Sequence, residues 1–216
     1  MGDYVHALVL CDDKWHPAAI ARSGLAALAL TDLAFEWIED AAAWSATRMV
    51  QHPLTVLVKA NNISSSDTTP WMSDDVQQAF VDYVQAGNGL LVIHNGTAGY
   101  QECPVLRGLM GGVFVHHPPQ CQGTVEPKAG HPLTLGSTPF TLKDEHYFME
   151  MDDPDVDLFL TSASEHGAQP AGWRRQSGAG RVAVLTPGHN LEVWLHPAYQ
   201  ALIGNCLRWC GRLDEQ

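Results

Sequence analysis

Short apolar runs that close on polar turns alternate with helical periodicities along the first hundred residues. The run from Tyr4 to Cys11 ends in Asp12-Asp13-Lys14-Trp15-His16-Pro17, the pattern of a strand buried on both faces. Pro17 suits a first helical position, and the Ala- and Leu-rich stretch 18–30 predicts a helix after it. A weak strand is expected near Phe35–Ile38 and a clearer one at Thr55–Lys59, followed by a polar loop from Asn61 to Trp71. Ser73 is placed to cap a helix whose first turn carries Asp74 and Asp75. Its apolar positions Val76, Ala79, Phe80, Tyr83 and Val84 recur at helical spacing until Gly87 ends it. Gly89–His94 (GLLVIH) is the most strand-like run and turns abruptly at Asn95-Gly96.

Beyond Gly111 the texture changes to short strands and Pro/Gly turns, with strands expected at 113–115, 123–126 and 157–162. Ser177–Arg181 reads as a hairpin turn, Arg181–Thr186 as another buried strand closing at Pro187-Gly188-His189, and 197–212 as a final helix. Strands alternating with helices predict an α/β fold around a mostly parallel sheet covered on both faces, with extra short strands in the C-terminal half. No linker or repeat divides residues 1–216, so one domain is expected.

Composition narrows the partners. Acidic residues outnumber basic ones 24 to 12, a net charge of −12 that repels polyanions and argues against nucleic acid. No apolar stretch approaches the roughly 20 residues that span a bilayer, and no signal-peptide pattern opens the chain. Five cysteines without C-x-x-C spacing suit neither a disulfide framework nor a cysteine zinc site, so a reducing, cytoplasmic compartment is expected. These exclusions leave a small molecule as the expected partner, and a homo-oligomer is allowed.

Ligands of open parallel sheets sit beyond the carboxyl ends of the strands. Three such ends carry a histidine: His16, His94 and His189. The turn Val92–Gly96 resembles a strand-to-helix elbow, which exposes one side chain above the sheet beside free amides; here that residue is His94, suited to proton transfer. In Gly111–Pro118, alternation sends His116 and His117 to opposite faces, and His117 is taken as the one facing the site. His131 is expected to anchor a turn. In Asp144-Glu145-His146-Tyr147, Glu145 and Tyr147 share one side and Asp144 and His146 the other. The expected catalytic set is thus His94, Glu145, His189 and His117. His16, Trp15, Tyr147, Asn95 and Trp173 are expected to bind substrate, Trp173 by stacking on a sugar ring.

Taken in order, these segments resemble the ThuA-like (trehalose-utilisation) family, itself related to the class I glutamine amidotransferase fold. The matching pieces are Trp15-His16-Pro17, Gly89–His94, Gly111–Pro118, His131-Pro132-Leu133, Asp144–Tyr147, Gly178–Val182 and Gly188-His189. The resemblance implies a flavodoxin-like three-layer fold and a link to disaccharide, specifically keto-sugar, metabolism. Where the amidotransferases have G-x-C-x-G, this chain has Val92-Ile93-His94-Asn95-Gly96, so glutamine hydrolysis is not expected.

The leading expectation is an acid–base enzyme acting beside the carbonyl of a keto-sugar or oxidised disaccharide, an isomerase, epimerase or cleaving enzyme. His94 would be its base or acid, with Glu145 as partner or orienter and His117 and His189 polarising the carbonyl. Two alternatives stand beside it: a metal-dependent hydrolase or isomerase holding zinc or a similar ion on these side chains, and a non-catalytic carbohydrate-binding module. A cysteine nucleophile at Cys11 or Cys121 is the least favoured reading.

Overall fold

A computed structural model describes residues 4–213. The first half alternates β1 (Val5–Leu10), α1 (Ala18–Ala26), β2 (Leu33–Ile38), α2 (Ala46–Met49), β3 (Leu54–Leu57), α3 (Asp74–Gln85), β4 (Gly89–Ile93) and α4 (Pro104–Met110). The second is strand-rich: β5 (Gly112–His116), β6 (Cys121–Pro127), β7 (Phe140–Asp144), β8 (Phe148–Met151), β9 (Asp157–Ser164), β10 (Gly167–Ser177) and β11 (Gly180–Leu185). Two helices, α5 (Leu191–Trp194) and α6 (Pro197–Gly211), close the described chain.

Nine strands form one sheet in the order β2-β1-β3-β4-β11-β10-β9-β6-β7, and β5 pairs with β8 apart from it. The expected mostly parallel sheet is corrected here. The ladders from β2 to β11 are parallel, whereas those from β11 outward to β7, and the β5–β8 pair, are antiparallel. The cause is local. β9, β10 and β11 are joined by tight turns, which can only connect antiparallel neighbours, whereas a parallel pair needs a crossover.

In the parallel half the order β2-β1-β3-β4-β11 is that of a doubly wound sheet, whose direction of winding reverses between β1 and β3. Alternation along β1 feeds two cores. Ala7 and Val9 pack with α1 and α6 on one face, while Leu8 and Leu10 pack with α3 and α4 on the other. β4 is buried at every position, as its uninterrupted apolar run requires.

The helices obey local signals. Ser73 Oγ accepts from Val76 N at the start of α3, and Gly111, at φ 85°, ends α4 in the left-handed conformation that glycine adopts without strain. Pro17 stands one residue before α1, as its cap rather than its first residue, and α1 stops at Ala26 rather than running to residue 30. The longest strand, β10, had no counterpart in the sequence pattern. Pro170 and Gly172 interrupt its alternation, and both mark bulges in its pairing with β9.

Candidate functional site

The reversal between β1 and β3 opens a cleft of about 670 Å³ lined by Trp15, His16, Asn61, Asn62, Phe114, His117, Glu145, Tyr147 and His189. Four chain segments meet there. The loop after β1 brings His16, the turn after β4 brings His94, the loop after β11 brings His189, and the β7–β8 connection brings Glu145. The donor atoms of these four side chains lie within 4.8 Å of one another.

Each imidazole is oriented from behind. Asp13 Oδ1 accepts from His16 Nδ1 at 2.9 Å and from the backbone N–H groups of Trp15 and His16, while Oδ2 accepts from Ala60 N and Asn95 Nδ2. His94 Nδ1 donates to the Thr186 carbonyl at 2.8 Å. Asp144 takes the backbone N–H groups of Gly188, His189 and Asn190, which fixes the loop carrying His189. These bonds leave His16 Nε2 and His94 Nε2 as the free ring nitrogens. Both are buried without a hydrogen-bond partner, as is His189 Nδ1.

Glu145 faces three of the rings. Its Oε2 is 3.4 Å from His94 Nε2, and its Oε1 is 3.1 Å from His189 Nδ1 and 3.5 Å from His117 Nε2. Burial alone would raise its pKa, but the contacts with His189 and His94 outweigh burial and hold the carboxylate ionised. Glu145 in turn raises the pKa of His189 against burial. It lies off the Nδ1–H direction, so the contact is an ion pair without a formed hydrogen bond. Burial lowers the pKa of His16 and prevails over Asp13, keeping that ring neutral. Tyr147 stacks on His94 with ring centroids 4.2 Å apart, and burial drives its phenol well above the usual range.

Several expected residues sit elsewhere. His94 is not lifted into the cleft. It is fully buried at φ 49°, with one nitrogen spent on a carbonyl and the other turned toward Glu145. Asn95 is buried too and holds Asp13 and Val58 O rather than a ligand. Trp173 is core: it is inaccessible on β10, and its Nε1 donates to Met110 O. Burial pushes the Cys11 thiol up to about 12, which removes it as a nucleophile. His131 caps a 3₁₀ turn and pairs with Asp157 away from the cleft. Trp15 lies at the cleft with its indole 66% exposed, and His117 lines the cleft while His116 stacks on Phe148.

Asp13, Asp144 and Phe114 escaped the sequence reading as site residues, whereas Asn61 and Asn62 open the polar loop expected from Asn61 to Trp71. Lys59 escaped it as well; it is fully buried, and its Nζ donates to the carbonyls of Cys11, Asp12 and Glu39, tying together the ends of β1 and β2 beside Asp13. Its only sequence signal is a lone cation closing an apolar strand.

The ThuA family, described as trehalose utilisation, matches residues 9–210. The chain belongs to this family. No curated protein matches this chain. Among solved structures it is similar to a putative ThuA-like protein from Parabacteroides merdae, at 14% identity and TM-score 0.74, covering 97% of this chain and 90% of that one. A cytoplasmic protein of Salmonella typhimurium shares 15% identity at TM-score 0.68, over 94% of this chain and 98% of that one. A β-galactosidase from Rahnella sp. R3 shares 14% identity at TM-score 0.65, over 96% of this chain but 31% of its own length. At such identities the likeness is one of fold. Among the described residues no helix is long and apolar enough to cross a membrane.

Proposed function

We propose that this ThuA-family chain is an enzyme that moves a proton beside the carbonyl of a keto-sugar or oxidised disaccharide bound in the cleft. The family's description supports a sugar as substrate. The observation that carries the chemistry is His117. Its Nδ1 donates to Pro118 O at 2.8 Å, which leaves Nε2 free on the cleft wall, 3.5 Å from a carboxylate held ionised. With its side chain 35% exposed, His117 can reach both ligand and solvent, which the buried His94 cannot.

His117 is therefore the proton carrier in this reading, with Glu145 Oε1 3.5 Å from its Nε2. His16 and His189 also line the cleft, where they would face the carbonyl oxygen as negative charge develops on it. Trp15 offers an exposed face to a sugar ring, and Asn62, whose Oδ1 has no hydrogen-bond partner, offers an amide to its hydroxyls.

The test is proton exchange. The protein is incubated in D₂O with trehalose oxidised to a ketone at one ring carbon, and deuterium uptake at the adjacent carbon is followed by NMR. Uptake by the wild type, slowed roughly 10²–10⁴-fold in His117→Ala and partly restored by added imidazole, is the expected result. A wild type that neither exchanges nor consumes the ketone ends the proposal. The likeness to about a third of a β-galactosidase favours one rival, a carbohydrate-binding module without turnover. It predicts thermal stabilisation by trehalose and by its ketone alike, with neither altered.

A further inference from the structure

Three buried imidazole nitrogens that converge with no hydrogen-bond partner need an account that proton transfer at His117 does not give. They are His16 Nε2, His94 Nε2 and His189 Nδ1, on three separate loops, and the rings of His94 and His189 are each within 5.0 Å of the His16 ring, centroid to centroid. A buried polar atom normally finds a partner, and three such atoms within 4.8 Å of one another and of a carboxylate oxygen are the donor set of a cation site.

The backing interactions fit the same reading. A metal-bound imidazole carries its proton on the far nitrogen and donates it to a carboxylate or a carbonyl. His16 does so to Asp13, and His94 does so to Thr186 O. Glu145 presents Oε2 to His94 and Oε1 to His189, at 3.4 and 3.1 Å. An ion bonded at about 2.0–2.1 Å in a tetrahedron holds its ligands roughly 3.3 Å apart. The observed set, within 4.8 Å, needs only a small contraction. Three imidazoles and one carboxylate suit a divalent first-row transition ion and disfavour magnesium and calcium, which prefer oxygen donors.

We infer that His16, His94, His189 and Glu145 hold one divalent first-row transition metal ion at the floor of the cleft. His16, His189 and Glu145 also line the cleft, so the ion's free side faces the ligand. A carbonyl or hydroxyl oxygen of the bound sugar would complete its coordination. The ion is then the electrophile opposite His117.

The experiment measures metal before activity. Untagged protein purified without chelators is assayed by plasma mass spectrometry, then stripped and titrated calorimetrically with ZnCl₂, MnCl₂ and CoCl₂. The expected result is close to one equivalent per chain as isolated, rebinding to the stripped protein with a Kd of about 1 µM or tighter, and visible ligand-field bands with cobalt. His189→Ala and Glu145→Gln should each fall below about a tenth of an equivalent, while His116→Ala, outside the cluster, keeps its full equivalent. Glu145→Gln is nearly isosteric, so it carries the test if His189→Ala fails to fold.

Protein that binds none of the three ions more tightly than roughly 100 µM, or a folded Glu145→Gln that keeps the full equivalent, overturns the inference. The inference and the sugar reading separate cleanly. A bound ion without turnover of the ketone supports the metal site and removes the proposed function. Full turnover by protein that takes up no ion does the reverse.

Discussion

Asp13 accepts five hydrogen bonds while only 1% exposed, and two of its donors, Ala60 and Asn95, lie 47 and 82 positions away. Asp13→Ala strands His16 Nδ1 and Ala60 N in a dry environment, leaves Asn95 Nδ2 with Val58 O alone, and should cost about 3 kcal/mol, read as a lower urea midpoint. It should also abolish the orientation of His16. The role of Asp13 could not be read in advance, because Asp12-Asp13-Lys14 looks like a solvated turn until the fold brings those distant donors to it. Trp173 shows the opposite error. An indole among charged and small residues suggests a sugar platform, yet alternation along the unrecognised β10 points it into the core. Trp173→Ala is expected to cost about 3–5 kcal/mol and to leave sugar affinity per folded molecule unchanged, as calorimetry can check.

Acid sensitivity at this scale has a concrete case in Asp157. Arg174 first, and then His131, hold its carboxyl below the ordinary carboxylate pKa against slight burial. A carboxylate whose folded pKa is depressed stabilises the protein above its unfolded value, near 3.9, and that contribution is lost as pH falls through the folded pKa. With the side chain 40% exposed, solvent screening limits the effect to about 0.5 kcal/mol. Asp157→Asn should therefore lower the urea midpoint at about pH 6 but not at about pH 2.

At the scale of elements, β1, β3, β4 and β11 were legible because strands buried on both faces must be apolar throughout. Their carboxyl ends then fixed where His16, His94 and His189 meet. β7, β8 and β10 were not legible, since their edge or bulged positions carry charge, proline and glycine. The turn after β4 is tightly constrained as well. A Cβ on Gly96 would lie 2.1 Å from Leu57 O, a backbone atom of the neighbouring strand that cannot yield. Gly96→Ala should therefore displace the turn and His94 with it, at a cost of about 2–3 kcal/mol, with ketone exchange falling as well. Thermal melting and the D₂O assay read the two effects separately.

Across the whole molecule, the parallel and antiparallel halves share one ladder, β10 against β11, and one core. Val125, Phe140 and Phe159 of the antiparallel half pack in the same cluster as Val9 and α6. Far- and near-ultraviolet dichroism should accordingly lose signal at the same urea concentration; two separated transitions would contradict a shared core. The net charge of −12 adds self-repulsion that salt relieves, and it works against association with polyanions.

β4 and β11 are neighbours in the sheet, yet β5 to β10 all come between them in the chain. Those intervening strands and their connections supply Phe114, His117, Glu145 and Tyr147, whereas the three clustered imidazoles stay rooted in the parallel layer. Inheritance can therefore act on the two parts at different rates. Replacing the excursion would re-cut the mouth and the choice of guest, while His16 and His94, braced from within the parallel layer, kept their address.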